Sequence, residues 1–134
     1  MTINNDYYRQ EVLRIRAALY PDPLLVERVT GVARLIERDY PARLGLKDLA
    51  GKAFLSRFHF VRVFRKMYGR TPGQYLSSVR MAEAKRLLAS GTGVKEVCEA
   101  VGFESVASFS TLFRRMTGTT PAAYQRAQKQ KRSG

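Results

Sequence analysis

Four cations and two apolar side chains share the stretch from Ser56 to Lys66: Arg57, Phe58, Val61, Arg62, Arg65 and Lys66. At helical spacing they turn one way, while Phe60, Val63, Phe64 and Met67 turn the other. An exposed surface of this mixed kind suits the edges of nucleic acid bases. A guanidinium fork pairs with guanine O6 and N7, and an aromatic or branched side chain packs on the thymine methyl. Arg62, one turn past the helix start, is the first candidate for a guanine edge, with Phe58 and Val61 for thymine methyls. Arg57 stands where the helix begins and suits a base edge or the phosphate beside it. Ser56, Arg65, Lys66 and Arg70 are candidates for phosphate contacts; for Arg65 and Lys66, as for Arg114 and Arg115 further on, the alternative is a solvated helix face.

The stretch returns. Residues 64–75 align with 113–124 at an offset of 49, and seven of the twelve positions are identical, from Phe64/Phe113 to Tyr75/Tyr124. Upstream, Leu46-Lys47-Asp48-Leu49-Ala50 aligns with Val94-Lys95-Glu96-Val97-Cys98 at an offset of 48, so the second copy carries one extra residue near Gly102–Ser105. Two copies mean one supersecondary unit used twice. In the second copy, Ala107, Ser108 and Thr111 are the candidates for base edges, and Ser105, Ser110, Arg114 and Arg115 for phosphates. These outward residues are small and include no bidentate Arg or Gln at the base-facing positions. The first unit is therefore expected to carry most direct readout and the second mostly backbone positioning.

The elements that must hold these side chains are helices. Tyr8, Val12, Ile15 and Leu19 predict a short amphipathic helix over Glu11–Leu19, ended by Tyr20-Pro21-Asp22-Pro23. Asp22 as cap and Pro23 at the first position open a scaffold helix to about Asp39, with Leu25, Val29, Val32, Ile36 and Tyr40 on one face. Leu46–Ala53 is the first short helix of copy one, with Leu49 and Ala50 inward, and Ser56 caps the second, which Gly69 ends. Thr71 and Pro72 start a long helix to Ser90, apolar on more than one side through Tyr75, Leu76, Val79, Ala82, Leu87 and Leu88. A helix buried by two lobes should look like that. Copy two follows as Val94–Val101, a turn at Gly102 with Phe103 inward, and Val106–Met116 capped by Ser105, with Phe109, Leu112, Phe113 and Met116 as its core stripe. Thr120-Pro121 opens a last helix to about Ala127, and residues 129–134 are expected to be a disordered basic end.

The chain of 134 residues has 24 Lys and Arg against 11 Asp and Glu, a formal net charge of +13, which points to a polyanionic partner. Nucleic acid comes first and an anionic membrane surface second. No apolar run approaches the roughly 18 residues of a membrane span. The start lacks the plan of a signal peptide, and one cysteine suits a reducing cytosol, so a cytoplasmic protein working at the nucleoid is expected. One histidine (His59), one cysteine (Cys98), no clustered carboxylates and no glycine-rich phosphate loop give no support for catalysis, a metal or a cofactor. Cys98 fills the slot of Ala50 in the repeat and reads as a small buried residue, with a redox sensor as the sharper alternative.

In this order and at these separations, Leu49-Ala50, Ser56 through Arg65, Gly69-Arg70-Thr71-Pro72, Arg80 through Leu88, Glu99 through Ser105 and Gly118-Thr119-Thr120-Pro121 with Tyr124 resemble the DNA-binding domain of the AraC/XylS family of bacterial transcription regulators. The resemblance covers roughly residues 24–127. It implies an all-α fold of about seven helices, to which the apolar spacing of residues 8–19 adds an N-terminal one. Two helix-turn-helix subdomains, at about 46–69 and 94–118, are bridged by a linker helix at about 72–90, within a domain of 23–128 that follows an extension of 1–22. It further implies binding to two successive major grooves on one face of double-stranded DNA, transcription control that is most often activation, and contact with RNA polymerase. Most members add a sensing or dimerisation domain. This chain looks like the stand-alone minority that act as monomers, and a DNA-binding piece of a larger regulator or repair protein has the same appearance. A sequence-neutral basic nucleic-acid-binding module is the remaining alternative. One departure concerns shape: Phe54 stands where the family usually has a turn glycine, as Gly102 does in the second copy. The first turn is therefore expected to be strained or distorted.

Overall fold

The computed structural model describes residues 9–14 and 22–133, and every regular element among them is helical. They are α1 (residues 9–14), α2 (Pro23–Asp39), α3 (Leu46–Lys52), α4 (Arg57–Tyr68), α5 (Pro72–Ala89), α6 (Val94–Ala100), α7 (Val106–Thr117) and α8 (Pro121–Ser133). Tyr8, Ile15 and Leu19, on which the expected first helix rested, lie outside the described residues; Val12 and Leu13 of α1 are exposed.

The starts of the helices are set by short polar side chains. Asp22 accepts from the amide of Leu24 at 3.0 Å, and Pro23 follows at a position that needs no donor. Ser56 accepts from the amide of His59, and Ser105 from that of Ser108, so both copies open their second helix the same way. Thr71 and Gln74 form a reciprocal box, each side chain accepting the other's backbone N–H.

Two cores result. The first joins Val29, Val32, Ala33 and Ile36 of α2, Leu49 and Ala50 of α3, and Phe60, Val63 and Phe64 of α4. The second joins Met81, Ala84 and Leu88 of α5, Val97 and Cys98 of α6, Val101, and Phe109 and Phe113 of α7. Their aromatic geometry repeats with the sequence. Phe60–Phe64 and Phe109–Phe113 both have ring centroids 5.7 Å apart at 59°. Phe64–Tyr75 and Phe113–Tyr124 meet edge-on at 5.4 and 5.6 Å. Each such pair adds about 0.5–1.5 kcal/mol beyond burial.

Helix α5 serves both cores. Tyr75, Leu76 and Val79 pack on the first; Met81, Ala84 and Leu88 are buried in the second. Ala82, expected to be apolar contact, is exposed instead. Met81, Ala84 and Leu88 recur at i, i+3 and i+7, which leaves Ala82 on the solvent side. The Tyr75 hydroxyl donates to Glu37 of α2, and burial together with that carboxylate pushes its pKa up to about 12, so it remains a donor at neutral pH. Two further expectations are corrected. Met116 is 43% exposed and so is not part of the second core stripe. Helix α8 runs to Ser133, so residues 129–133 are helical where a disordered tail was expected. No Gly or Pro interrupts the stretch after Pro121, and Ala, Gln, Lys and Arg are good helix formers. Gln125 ties α8 down by donating to the carbonyls of Leu88 and Thr92 at 3.1 and 2.6 Å.

The turn at Phe54 is strained and not distorted. Phe54 takes a φ of 58°, and its hydrogen bonds match those of the second turn. Phe54 N–H reaches Gly51 as Gly102 N–H reaches Glu99, and Leu55 reaches Ala50 as Phe103 reaches Cys98. A left-handed conformation costs a non-glycine residue roughly 1–2 kcal/mol. The ring is 75% exposed, and the Arg28 guanidinium lies 4.9 Å from its centroid, which offsets part of that cost.

Gly102 has a second reason to lack a side chain: a Cβ there would lie 2.5 Å from the Pro41 carbonyl oxygen. Gly69, at φ 74°, has open space around the same position. Gly69→Ala should therefore cost about 1–2 kcal/mol in thermal or denaturant unfolding, and Gly102→Ala clearly more. Equal costs would contradict the packing of that turn against Pro41. Cys98 is buried, its thiol set 3.6 Å from the Phe103 carbonyl, and burial pushes its pKa up. Its alkylation at neutral pH should be slow and should follow unfolding; fast labelling of the folded protein would contradict that placement.

Candidate nucleic-acid interface

Helix α4 is polarised by its own sequence. Burying Phe60, Val63 and Phe64 turns Arg57, Phe58, Arg62, Arg65 and Lys66 to solvent. Phe58 is 84% exposed, while Val61 is half-buried beside it. With Leu46 from the start of α3, these residues line one open groove of about 780 Å³. The six side chains singled out in the first copy thus share one surface.

The second copy is more modest. Ala107, Ser108, Thr111 and Arg115, with Phe103 and Leu112, line a groove of about 490 Å³. Its hydroxyls are partly committed to the protein. Ser105 accepts from the Ser108 amide and donates to the Ser108 hydroxyl at 2.9 Å. Thr111 donates to the Ala107 carbonyl at 2.9 Å, which leaves its methyl and an oxygen lone pair for a ligand. Arg114 is exposed on the flank, off this groove, and Ser110 is half-buried there, one helical step from the buried Phe109. Ser110 is consequently a weaker candidate for a phosphate than an outward serine, a correction to its expected full exposure.

Neither α4 nor α7 contains an Asp or Glu. Among the described residues, none of Arg57, Arg62, Arg65, Lys66, Arg114 and Arg115 pairs with a carboxylate. The ion pairs fall elsewhere: Arg14 with Glu11, Arg38 with Asp39, Arg43 with Glu104 and Arg86 with Glu83. Among the described residues, unpaired positive charge therefore lies on the two helices that present small or flat side chains, and also on α8, which carries four cations and no acid. Surface pairs of this kind contribute little to stability, so the arrangement matters for partners more than for folding.

Between the two grooves lies a third hollow of about 760 Å³, lined by Gly69, Arg70, Gly73, Gln74, Ser77 and Ser78 on one side and by Leu112, Arg115 and Met116 on the other. Arg70 donates to the Ser78 hydroxyl at 2.8 Å, which donates to the Gln74 carbonyl at 3.0 Å, so the guanidinium is held with most of its donors free. Arg70 and Arg115 stand out in the sequence by their charge, whereas the α5 residues beside them do not. The signal was Gly73, Gln74, Ser77 and Ser78, small or uncharged polar residues whose spacing puts them on one face of the first half of α5. Among the described residues no group of three His, Cys, Asp or Glu could hold a metal, and no helix is long and apolar enough to cross a membrane.

Comparison with known proteins places this architecture. Residues 49–127 match the family model of a helix-turn-helix domain. The MmsAB operon regulatory protein of Pseudomonas aeruginosa is 34% identical over 128 residues, covering 90% of this chain and 42% of that protein. The bifunctional transcriptional activator/DNA repair enzyme AdaA of Bacillus subtilis is 31% identical over 110 residues, covering 81% and 51% respectively. The chain thus spans about half the length of the curated relatives it matches. Among solved structures, the DNA-binding domain of the transcription factor AdpA in complex with a target DNA is similar, with a TM-score of 0.75 and 32% identity over 79% of this chain and 96% of that one. With two capped helix-turn-helix units sharing one long helix, and with these relatives, the chain belongs to the AraC/XylS family of helix-turn-helix transcription regulators.

Proposed function

We propose that this chain binds double-stranded DNA in a sequence-specific manner and regulates transcription by setting α4 and α7 into successive major grooves on one face of a duplex. The observation that carries this is the pair of acid-free, identically capped helices, free of ion pairs among the described residues, on a shared α5. Helix α5 has 18 residues, which at 1.5 Å per residue is roughly 27 Å. That suits two readers one helical turn apart, about 34 Å. The AdpA domain, solved with its target DNA, supports the same partner.

In this reading Arg62 grips a guanine edge, Phe58 and Val61 meet thymine methyls, and Arg57 serves the base or phosphate at the helix start. Ala107, Ser108 and Thr111 read a second segment more weakly. Ser56, Arg65, Lys66, Arg70, Ser105, Arg114 and Arg115 hold phosphates, with Ser110 the least exposed of that set. The domain of 23–128 acts as a monomer on DNA at the nucleoid and activates by contact with RNA polymerase. A second reading, a DNA-binding part of a larger regulator or repair protein, is favoured by one observation: AdaA carries the similar region in about half of its length.

Selection of random duplexes by the purified protein tests the proposal. An asymmetric site of about two helical turns is expected; enrichment of base composition alone would overturn specific recognition in favour of a sequence-neutral basic module. Arg62→Ala should cost about 1–3 kcal/mol and relax preference in one segment only. Arg115→Ala should weaken all duplexes alike and reduce the salt slope by about one phosphate. The reverse pattern would reassign the two arginines.

A further inference from the structure

The two lobes also touch on a second surface, which shares Phe103 with the α7 groove. Among the described residues, no helix of α2–α4 packs broadly on one of α6–α8. Instead, four consecutive residues after α2 reach across. Tyr40 packs against the second core. Pro41 sits against Gly102, where a Cβ would lie 2.5 Å from its carbonyl oxygen. The Ala42 carbonyl, together with that of Tyr40, accepts from Arg80 of α5. Arg43 pairs with Glu104. Arg80 is the centre of this brace. Its Nε donates to Tyr40 at 2.8 Å, one Nη donates to Ala42 at 2.9 Å, and its guanidinium lies 5.5 Å from the ring centroid of Phe103. The fork also sits at the carboxyl end of α2, where the helix dipole favours a cation.

A single shared helix fixes the distance between two lobes but leaves rotation about its axis and bending along it as soft motions. A second attachment away from that axis removes them. We propose that Arg80, through the 40–43 loop and the 102–104 turn, sets the angle between α4 and α7 and so fixes the number of base pairs between the two segments of the site. Arg80 is thus a positioning residue for specificity. The inference rests on the tandem-groove reading above. Its physical content is that one inserted base pair moves the second segment by about 3.4 Å along the duplex and turns it by roughly 35°, which a braced pair of helices cannot follow. Lysine is not an equivalent: a point charge cannot hold two carbonyls and stack on a ring together.

The test uses the selected duplex and versions with one base pair added or removed between its segments. The wild-type chain should lose at least tenfold in affinity on either change. Arg80→Met, of similar volume, should bind the parent duplex more weakly but lose no more than about threefold on the same changes. Arg80→Lys should fall between them. Glu104→Ala, at an exposed pair, should broaden spacing tolerance slightly and serves if Arg80→Met does not fold. Spin labels at Lys47→Cys and Lys95→Cys in a Cys98→Ala background read the same brace without DNA: a narrow distance distribution should broaden in Arg80→Met. A weakened variant with an unchanged spacing profile, or an unchanged distance distribution, overturns the positioning role while leaving tandem recognition standing. A wild-type chain that selects no two-part site overturns tandem recognition itself, and the spacing role with it.

Discussion

The constraint on which the rest depends is that one helix must pack against two cores. Helix α5 gives Tyr75, Leu76 and Val79 to the first and Met81, Ala84 and Leu88 to the second. Neither helix-turn-helix buries enough by itself. Each contributes only a handful of fully buried side chains, at about 1.5–3 kcal/mol for each large one, and short helices are unstable alone in water. Sharing α5 completes both cores. It also couples folding to geometry, because the residues that close the cores are those that set where α4 and α7 emerge. The caps at Ser56 and Ser105 and the left-handed ends at Gly69 and Gly118 then fix where α4 and α7 begin and stop.

Much of this was legible in the sequence because the unit is used twice. A stripe such as Phe60, Val63, Phe64 is ambiguous by itself, but its return as Phe109, Leu112, Phe113 makes it a core face. Caps and glycines are local chemistry and also read directly, as Asp22, Thr71 and Gly69 did. What the sequence hid is of two kinds. Some positions break the repeat through tertiary setting: Met116 faces the hollow between the lobes, whereas its counterpart Met67 packs on the first core. Others depend on contacts distant in sequence. Arg80 reads as a charge on a helix, and only its approach to Tyr40 and Ala42 shows it as a brace. The strain at Phe54 follows from the missing glycine, but the shape of the turn does not. Hydrogen bonds on both sides of the turn outweigh the torsional cost, so the backbone kept its shape.

The two grooves differ in chemistry more than in form. The first offers guanidinium forks, a flat exposed ring and a branched side chain; the second offers small residues whose hydroxyls are partly spent on their own helix. In the proposed reading α4 discriminates, and α7 adds affinity and orientation. Among the described residues, unpaired cations lie on both surfaces, with the held guanidinium of Arg70 in the hollow between them.

The central claim is that the two helices address one face of one duplex. A hydroxyl-radical footprint on a bound duplex tests it most directly. Two protected patches about one helical turn apart, on the same face, are the predicted result. A single patch, or two patches on opposite faces, would contradict the account.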